Sequence, residues 1–230
     1  KHEKGVHYLL KAADQNKDQT YFLNQLSQNQ LADVLFPLAD MHKDEVRAIA
    51  DRLGLVNARK KDSTGICFIG ERNFREFLQN YLPNQPGDIV DLDGNVVGQH
   101  IGLMYYTLGQ RRGLGLGGTH ESQDRWFVVD KDMQANKLIV SHGDESVLMS
   151  ASLTASTLNW IPEPLGKDFT CCAKFRYRQS EQLVDVHIND DGTCRVDFRE
   201  KQRAVTPGQF VVFYNDTRCL GGGIIETVTK

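Results

Sequence analysis

Much that would classify a chain at a glance is missing from these 230 residues. No apolar run approaches the roughly 20 residues that span a bilayer, and no secretory leader opens the chain. The expectation is a cytoplasmic protein without membrane contact. The cysteines (67, 171, 172, 194 and 219) are odd in number and contain no C-x-x-C pair, which argues against a disulfide scaffold or a zinc ribbon. None of the histidines stands at ligand spacing from a cysteine or another histidine, so no metal site is expected. An excess of positive charge is missing too, since 27 Lys and Arg face 30 Asp and Glu. Nothing global demands a polyanionic partner.

What is present is ordinary for a globular protein: 40% hydrophobic and 25% charged residues. Positive charge concentrates locally, in "GQRRGLGLGG" and "KFRYR". The opening "KHEKGVHYLLKA" lacks an initiator methionine and enters directly on strand-like residues, reading like the interior of a longer chain.

Periodicity divides the chain. In the first third, "SQNQLADVLF" offers Ser27 as a cap with Gln30 three residues on, and predicts a helix that runs to Pro37. "KDEVRAIADRLG" places Val46, Ile49, Ala50 and Leu53 on one stripe before Gly54. "NFREFLQNYLP" repeats the pattern with Phe74, Phe77, Leu78 and Tyr81. These stripes predict core packing. From Pro86 short strands take over, with a hairpin through Asp93-Gly94 and another over "RWFVVDKDMQANKLIVSHG". After residue 148, strand-like segments at 153–160, 169–178, 183–189, 194–199, 209–214 and 219–228 predict a small closed barrel.

Five stretches carry chemistry-bearing residues. Cys67, in "KDSTGICFIGERNF", lies shortly before a predicted helix with Lys60, Lys61 and Arg72 nearby. That surrounding favours a thiolate suited to a nucleophile or persulfide carrier, and a packed core thiol is the competing reading. "NKDQTYFL" puts Lys17, Asp18 and Gln19 at a predicted helix start, as a cap or as ligand contacts. "LGQRRGLGLGG" is a phosphate-approaching loop or a plain connection, without a Walker ending or a G-x-G-x-x-G fingerprint. "CCAKFRYRQ" alternates as a strand, with Cys172, Lys174, Arg176 and Arg178 on one face and Cys171, Ala173, Phe175 and Tyr177 on the other. That cationic face is either solvated or suited to an RNA backbone. In "VTPGQFVVFYNDTRCLGGGIIE", Gln209 follows a turn, and Gly221 to Gly223 are expected to let the chain bend as the barrel closes.

Taken in order, "NKDQTYFL", "KKDSTGICFIGERNFREFL", "GLMYYTLGQRRGLGLGG", "VVDKD", "FRYRQ", "VTPGQ" and "CLGGGIIE" resemble the tRNA-specific 2-thiouridylase family across nearly the whole chain. The resemblance implies an α+β architecture in three parts. These are the helical tail of an α/β nucleotide-binding domain (1–75), a small central α+β domain (76–147) and a C-terminal six-stranded β-barrel (148–230). It implies thiolation at the 2-position of the wobble uridine of tRNA, in which ATP, accompanied by Mg2+, activates the uridine oxygen and a cysteine persulfide delivers sulfur. Two cysteines take part and close a disulfide, and the persulfide carrier matches Cys67. Lys17, Asp18 and Gln19 match a tRNA contact near the target base, Arg176 and Tyr177 a second contact, and Gln209 a third. The implied partners are tRNAs of the Lys, Glu and Gln type and a sulfur-relay donor protein.

The chain departs from the family in lacking the "SGGVDSS" motif that cradles ATP, together with the second catalytic cysteine. It is therefore expected to be a C-terminal portion, inactive alone. Two readings compete: a noncatalytic RNA-binding barrel module with Cys67 packed in a core, and a redox sensor, which would need a resolving cysteine the sequence does not identify.

Overall fold

The computed structural model describes residues 1–60, 77, 79–82, 84–117 and 124–230. The described residues form two compact units, one of Lys1–Lys60 with Ser150–Lys230, the other within Lys61–Met149. The fold is α+β, mostly sheet with few helices.

The first unit is organised by a barrel. In chain order its strands are, after seven earlier ones, β8 (Met149–Trp160), β9 (Asp168–Lys174), β10 (Gln182–Ile188), β11 (Cys194–Arg203), β12 (Phe210–Asn215) and β13 (Arg218–Thr229). They neighbour one another in the order β12-β9-β10-β11-β8-β13, and pairing of β12 with β13 closes the ring. Closure leaves no free edge among these six strands. Alternating side chains fill the interior: Val184 and Val186 from β10, Cys194 and Val196 from β11, Val211 and Phe213 from β12, Leu220 and Ile225 from β13.

β12 breaks that alternation, because Val211, Val212, Phe213 and Tyr214 are all buried. Its outward side chains, Val212 and Tyr214, are covered by the N-terminal segment through Leu9, Tyr21 and Leu31, together with Ile161 and Cys219. A continuous apolar run is what a strand buried on both faces requires. The covering segment begins with β1 (His2–Glu3) and β2 (Val6–His7), paired as a hairpin. β3 (Leu9–Leu10) then adds to β13 with Leu9 opposite Cys219. Two helices follow, α1 (Gln28–Ala32) and α2 (Lys43–Arg52).

The capping box at Ser27 and Gln30 forms as the sequence predicts. The helix does not run on to Pro37, however, but ends at Ala32 with Asp33 as its cap. Only Leu31 is buried, and Val34, Leu35 and Phe36 are exposed. A short helix without packing support does not propagate on propensity alone. The stripe on α2 also departs from expectation. Val46, Ile49 and Ala50 are half-buried and Leu53 is exposed, so α2 contributes no core residue among those described. An apolar stripe becomes core only where another element covers it. Most of the predicted 73–83 helix lies outside the described residues, and Tyr81 is exposed.

The second unit is a four-stranded sheet of β4 (Gly87–Val90), β5 (Val96–His100), β6 (Trp126–Asp132) and β7 (Lys137–His142). The order is β5-β4-β7-β6, with β4 and β7 parallel. Both predicted hairpins are present. The described part of the glycine-rich connection between them, up to residue 117, is anchored rather than loose. Leu114 lies in the core with Ile89, Val128 and Leu138, and Leu108 and Leu116 pack against it. Gly109 N donates to the Val128 carbonyl at 2.8 Å, Val128 N returns a bond to the Gln110 carbonyl at 3.0 Å, and Arg111 pairs with Glu145. His100 is buried, with Nδ1 accepting from Gly102 N at 3.1 Å and Nε2 at 3.0 Å from the Asn136 carbonyl. That pattern assigns Nε2 as the protonated nitrogen.

Candidate nucleic-acid interface

The "NKDQTYFL" stretch forms consecutive turns instead of a helix start, and Asp18 caps no helix. Its carboxylate is buried and accepts from Ala12 N at 3.0 Å through Oδ1 and from Thr20 Oγ1 at 2.5 Å through Oδ2. A buried carboxylate is tolerated only when so satisfied. Asp14, four residues earlier, accepts from Lys43 N and Asn16 N, both at 3.0 Å. The Lys43 bond, first among its causes, holds the Asp14 carboxyl below the usual carboxylate range, and it ties the loop to the N-terminus of α2. With Asp14 and Asp18 turned inward, the residues between and beyond them, Lys17 and Gln19, are presented outward.

The "FRYR" stretch also departs from its predicted form. β9 ends at Lys174, so Arg176, Tyr177 and Arg178 lie on the turn that follows and the three cations share no strand face. Lys174 is buried, 5.1 Å from the centroid of the Tyr214 ring, because the N-terminal segment covers that side of the barrel. Lys11 reaches the same ring at 5.5 Å. Glu181 lies 2.8 Å from Lys11 Nζ and 3.8 Å from Lys174 Nζ. Tyr177 does not point into the barrel with Cys171, Ala173 and Phe175. Its hydroxyl accepts from Gln19 Nε2 at 2.7 Å, and its ring packs against Phe22 with centroids 4.6 Å apart.

Two segments separated by 158 residues thus meet at one bond. Arg176 donates to the Ala204 carbonyl through Nη2. Burial, then the neighbouring Arg203, favours its neutral form relative to a free guanidinium. Tyr21 stands edge-on to Phe22 at 5.4 Å and donates to the Phe210 carbonyl at 3.0 Å. Burial pushes the Tyr21 hydroxyl up to about 12. Gln209, exposed at the turn before β12, is the chain neighbour of Phe210. Gln19 also lines a cleft of about 820 Å³, together with Lys11, Lys17 and Asp18 and apolar residues including Leu9 and Leu31.

Cys67 lies outside the described residues. The other four cysteines offer no thiolate. Burial pushes Cys171, Cys194 and Cys219 each up to about 12, and raises Cys172 as well, helped by the Glu181 charge. Cys171 faces the barrel core and Cys172 the opposite side. Sequence reasoning missed Phe22, Lys11 and the Glu181–Tyr214 cluster. The available signal was "TYF", two adjacent aromatics of which the fold buries Tyr21 and leaves Phe22 exposed.

Three family models match the chain: the tRNA methyl transferase HUP domain over residues 1–71, the tRNA methyl transferase PRC-barrel domain over 75–142, and the aminomethyltransferase beta-barrel domain over 150–225. Among curated relatives, the tRNA-specific 2-thiouridylase MnmA of Enterococcus faecalis is 56% identical over 227 residues, covering 97% of this chain and 61% of the relative. That of Listeria welshimeri is 58% identical over 224 residues, covering 96% and 60%. That of Exiguobacterium sibiricum is 54% identical over 231 residues, covering 100% and 61%. The chain belongs to the tRNA-specific 2-thiouridylase family. It spans about three-fifths of the length of these relatives.

Proposed function

We propose that this chain takes part in the 2-thiolation of tRNA wobble uridine, with Cys67 as the persulfide carrier and Lys17, Asp18, Gln19, Arg176, Tyr177 and Gln209 serving tRNA binding. The observation that carries the reading is the 2.7 Å bond from Gln19 to Tyr177. Two motifs far apart in sequence, each matched to a tRNA contact by resemblance alone, converge on one face that also carries Arg176. Asp18 acts there as a positioning residue, since its buried carboxylate holds the Ala12 amide on one side of Gln19 and the Thr20 hydroxyl on the other.

Sulfur delivery requires a thiol that ionises near neutral pH and reaches both donor and substrate. The buried, protonated thiols of Cys171, Cys194 and Cys219 meet neither condition. Cys67 is assigned the role by its match to the family's persulfide carrier, with sulfur supplied by a relay donor and ATP, with Mg2+, as co-substrate that makes the uridine oxygen a leaving group. No residue of this chain is assigned to ATP, and the chain alone is expected to be inactive. In the protein at its natural length, Cys67→Ser is expected to abolish 2-thiouridine in tRNA digests read by mass spectrometry. Undiminished 2-thiouridine in that variant would leave a noncatalytic RNA-binding module as the function.

A further inference from the structure

Phe22 is 59% exposed, yet its placement is firmly determined. Its amide donates to the Gln19 carbonyl at 3.0 Å, and the loop that bears it is pinned by Asp18 below and Tyr21 beside it. Tyr177 leans on its ring at 43° and Tyr21 meets it at 88°, so two aromatic neighbours hold the ring while more than half of the residue faces solvent. Isolated exposed apolar side chains are common and carry no meaning. This one is different because it is braced by two aromatic rings and accompanied by polar and cationic groups: Gln19 bonded to Tyr177, and the exposed Arg176, chain neighbour of Tyr177.

A partner for such a ledge must offer a flat apolar ring joined to negative charge and hydrogen-bonding edges. An unpaired nucleotide of an RNA loop has that combination: the base stacks on an aromatic face while its phosphates meet cations. We propose that Phe22 is the stacking platform for an unpaired base of the tRNA loop, with Tyr177 fixing the ring's pose and Gln19 and Arg176 bordering the stacked nucleotide. The proposal rests on the RNA-binding reading above and adds to it a residue and a mode of contact. Gln19 belongs both to the ledge, through its bond to Tyr177, and to the lining of the cleft of about 820 Å³.

The test uses the protein at its natural length and a tRNA anticodon stem-loop carrying 2-aminopurine at successive loop positions. Phe22→Ala is expected to weaken binding about 5- to 150-fold, the range for losing one stacked base. One loop position should also lose the fluorescence quenching seen with the unaltered protein. Phe22→Trp should bind and quench like the unaltered protein, whereas Phe22→Leu should behave like Phe22→Ala, because leucine keeps the apolar volume without the π face. The slope of affinity against salt should be the same for all three, since no phosphate contact is removed. Wild-type binding by Phe22→Leu would overturn stacking in favour of plain packing, and wild-type binding by Phe22→Ala would remove Phe22 from the interface. If the unaltered protein binds the stem-loop no better than heparin, it is the RNA-binding reading that fails, an outcome separable from failure of the platform.

Discussion

Single residues here are decided by which groups are covered. Cys171, Cys194 and Cys219, all pushed up to about 12, remain protonated in the fold where the unfolded chain ionises them from about pH 9. Tyr21, at about 12, and Tyr214, also raised by burial, behave alike from about pH 10. Above those values the unfolded chain binds fewer protons than the folded one, so stability falls as pH rises. Each mismatched group steepens the fall by about 1.4 kcal/mol per pH unit. Urea denaturation under reducing conditions is expected to show midpoints insensitive to these groups at pH 7–8 and dropping steadily between about pH 9 and 11. Replacing Cys194 by Ala should flatten the drop. A midpoint constant to pH 11 would contradict the burial of these thiols. The same covering explains why sequence read Lys174 wrongly: alternation marks it as outward, and nothing local reveals that the N-terminal segment closes over that face.

At the scale of elements, strands were legible where period and turns agreed. All six barrel strands lie close to where strand-like runs between turn residues place them, although β9 stops at Lys174 and β12 is buried on both faces instead of alternating. Lengths of helices were not legible, since α1 stops where packing stops and not where the apolar pattern does. The triple glycine was read as a bend; the positive φ of 109° at Gly221 and the register shift between Gly222 and Ile224 fit that reading, and close packing adds a second demand. A methyl group on Gly222 would sit 2.4 Å from the Val211 carbonyl and 2.8 Å from Asn24 Oδ1, and one on Gly221 would sit 1.9 Å from the Asn159 carbonyl. These glycines admit strands and the loop at Asn24 to close approach on β13. Asn24 is buried, bonded to the Tyr21 carbonyl at 2.7 Å, and so belongs to the loop that carries Gln19 and Phe22. Gly222→Ala is therefore expected to lower stability by about 1–3 kcal/mol, the usual cost of overpacking. It should also weaken stem-loop binding, though residue 222 touches no nucleic acid in the proposed interface. Chemical denaturation beside a binding titration separates the two effects. Unchanged stability would show that the β12–β13 ribbon has slack at this point.

For the first unit as a whole, the candidate interface is a product of topology: Gln19 and Phe22 come from the segment laid over the barrel, Arg176 and Tyr177 from the barrel itself. Sequence supplied each half through family resemblance, but their juxtaposition depends on long-range packing that no local pattern encodes. The packing also makes the two parts interdependent. Without residues 1–60, the barrel would expose Val212, Tyr214, Cys219 and Ile161, each essentially fully covered in the fold. Burying side chains of this kind contributes about 1.5–3 kcal/mol each, a large fraction of the 5–15 kcal/mol that keeps a typical domain folded. Lys174 would lose the carbon and π surroundings that Lys11 and the N-terminal segment help enclose, though Glu181 and Tyr214 would remain. The barrel segment 150–230 expressed alone is therefore expected to bind a hydrophobic dye strongly, melt at lower temperature than the full chain, and bind a tRNA stem-loop at least tenfold more weakly. Supplying residues 1–60 as a separate polypeptide should reverse the dye binding if the segment recognises the outer face of β12 and β13 directly. A lone barrel with full stability and no dye binding would mean that its outer face rearranges to cover these residues itself, and that the N-terminal segment positions Gln19 and Phe22 without supporting the fold beneath them.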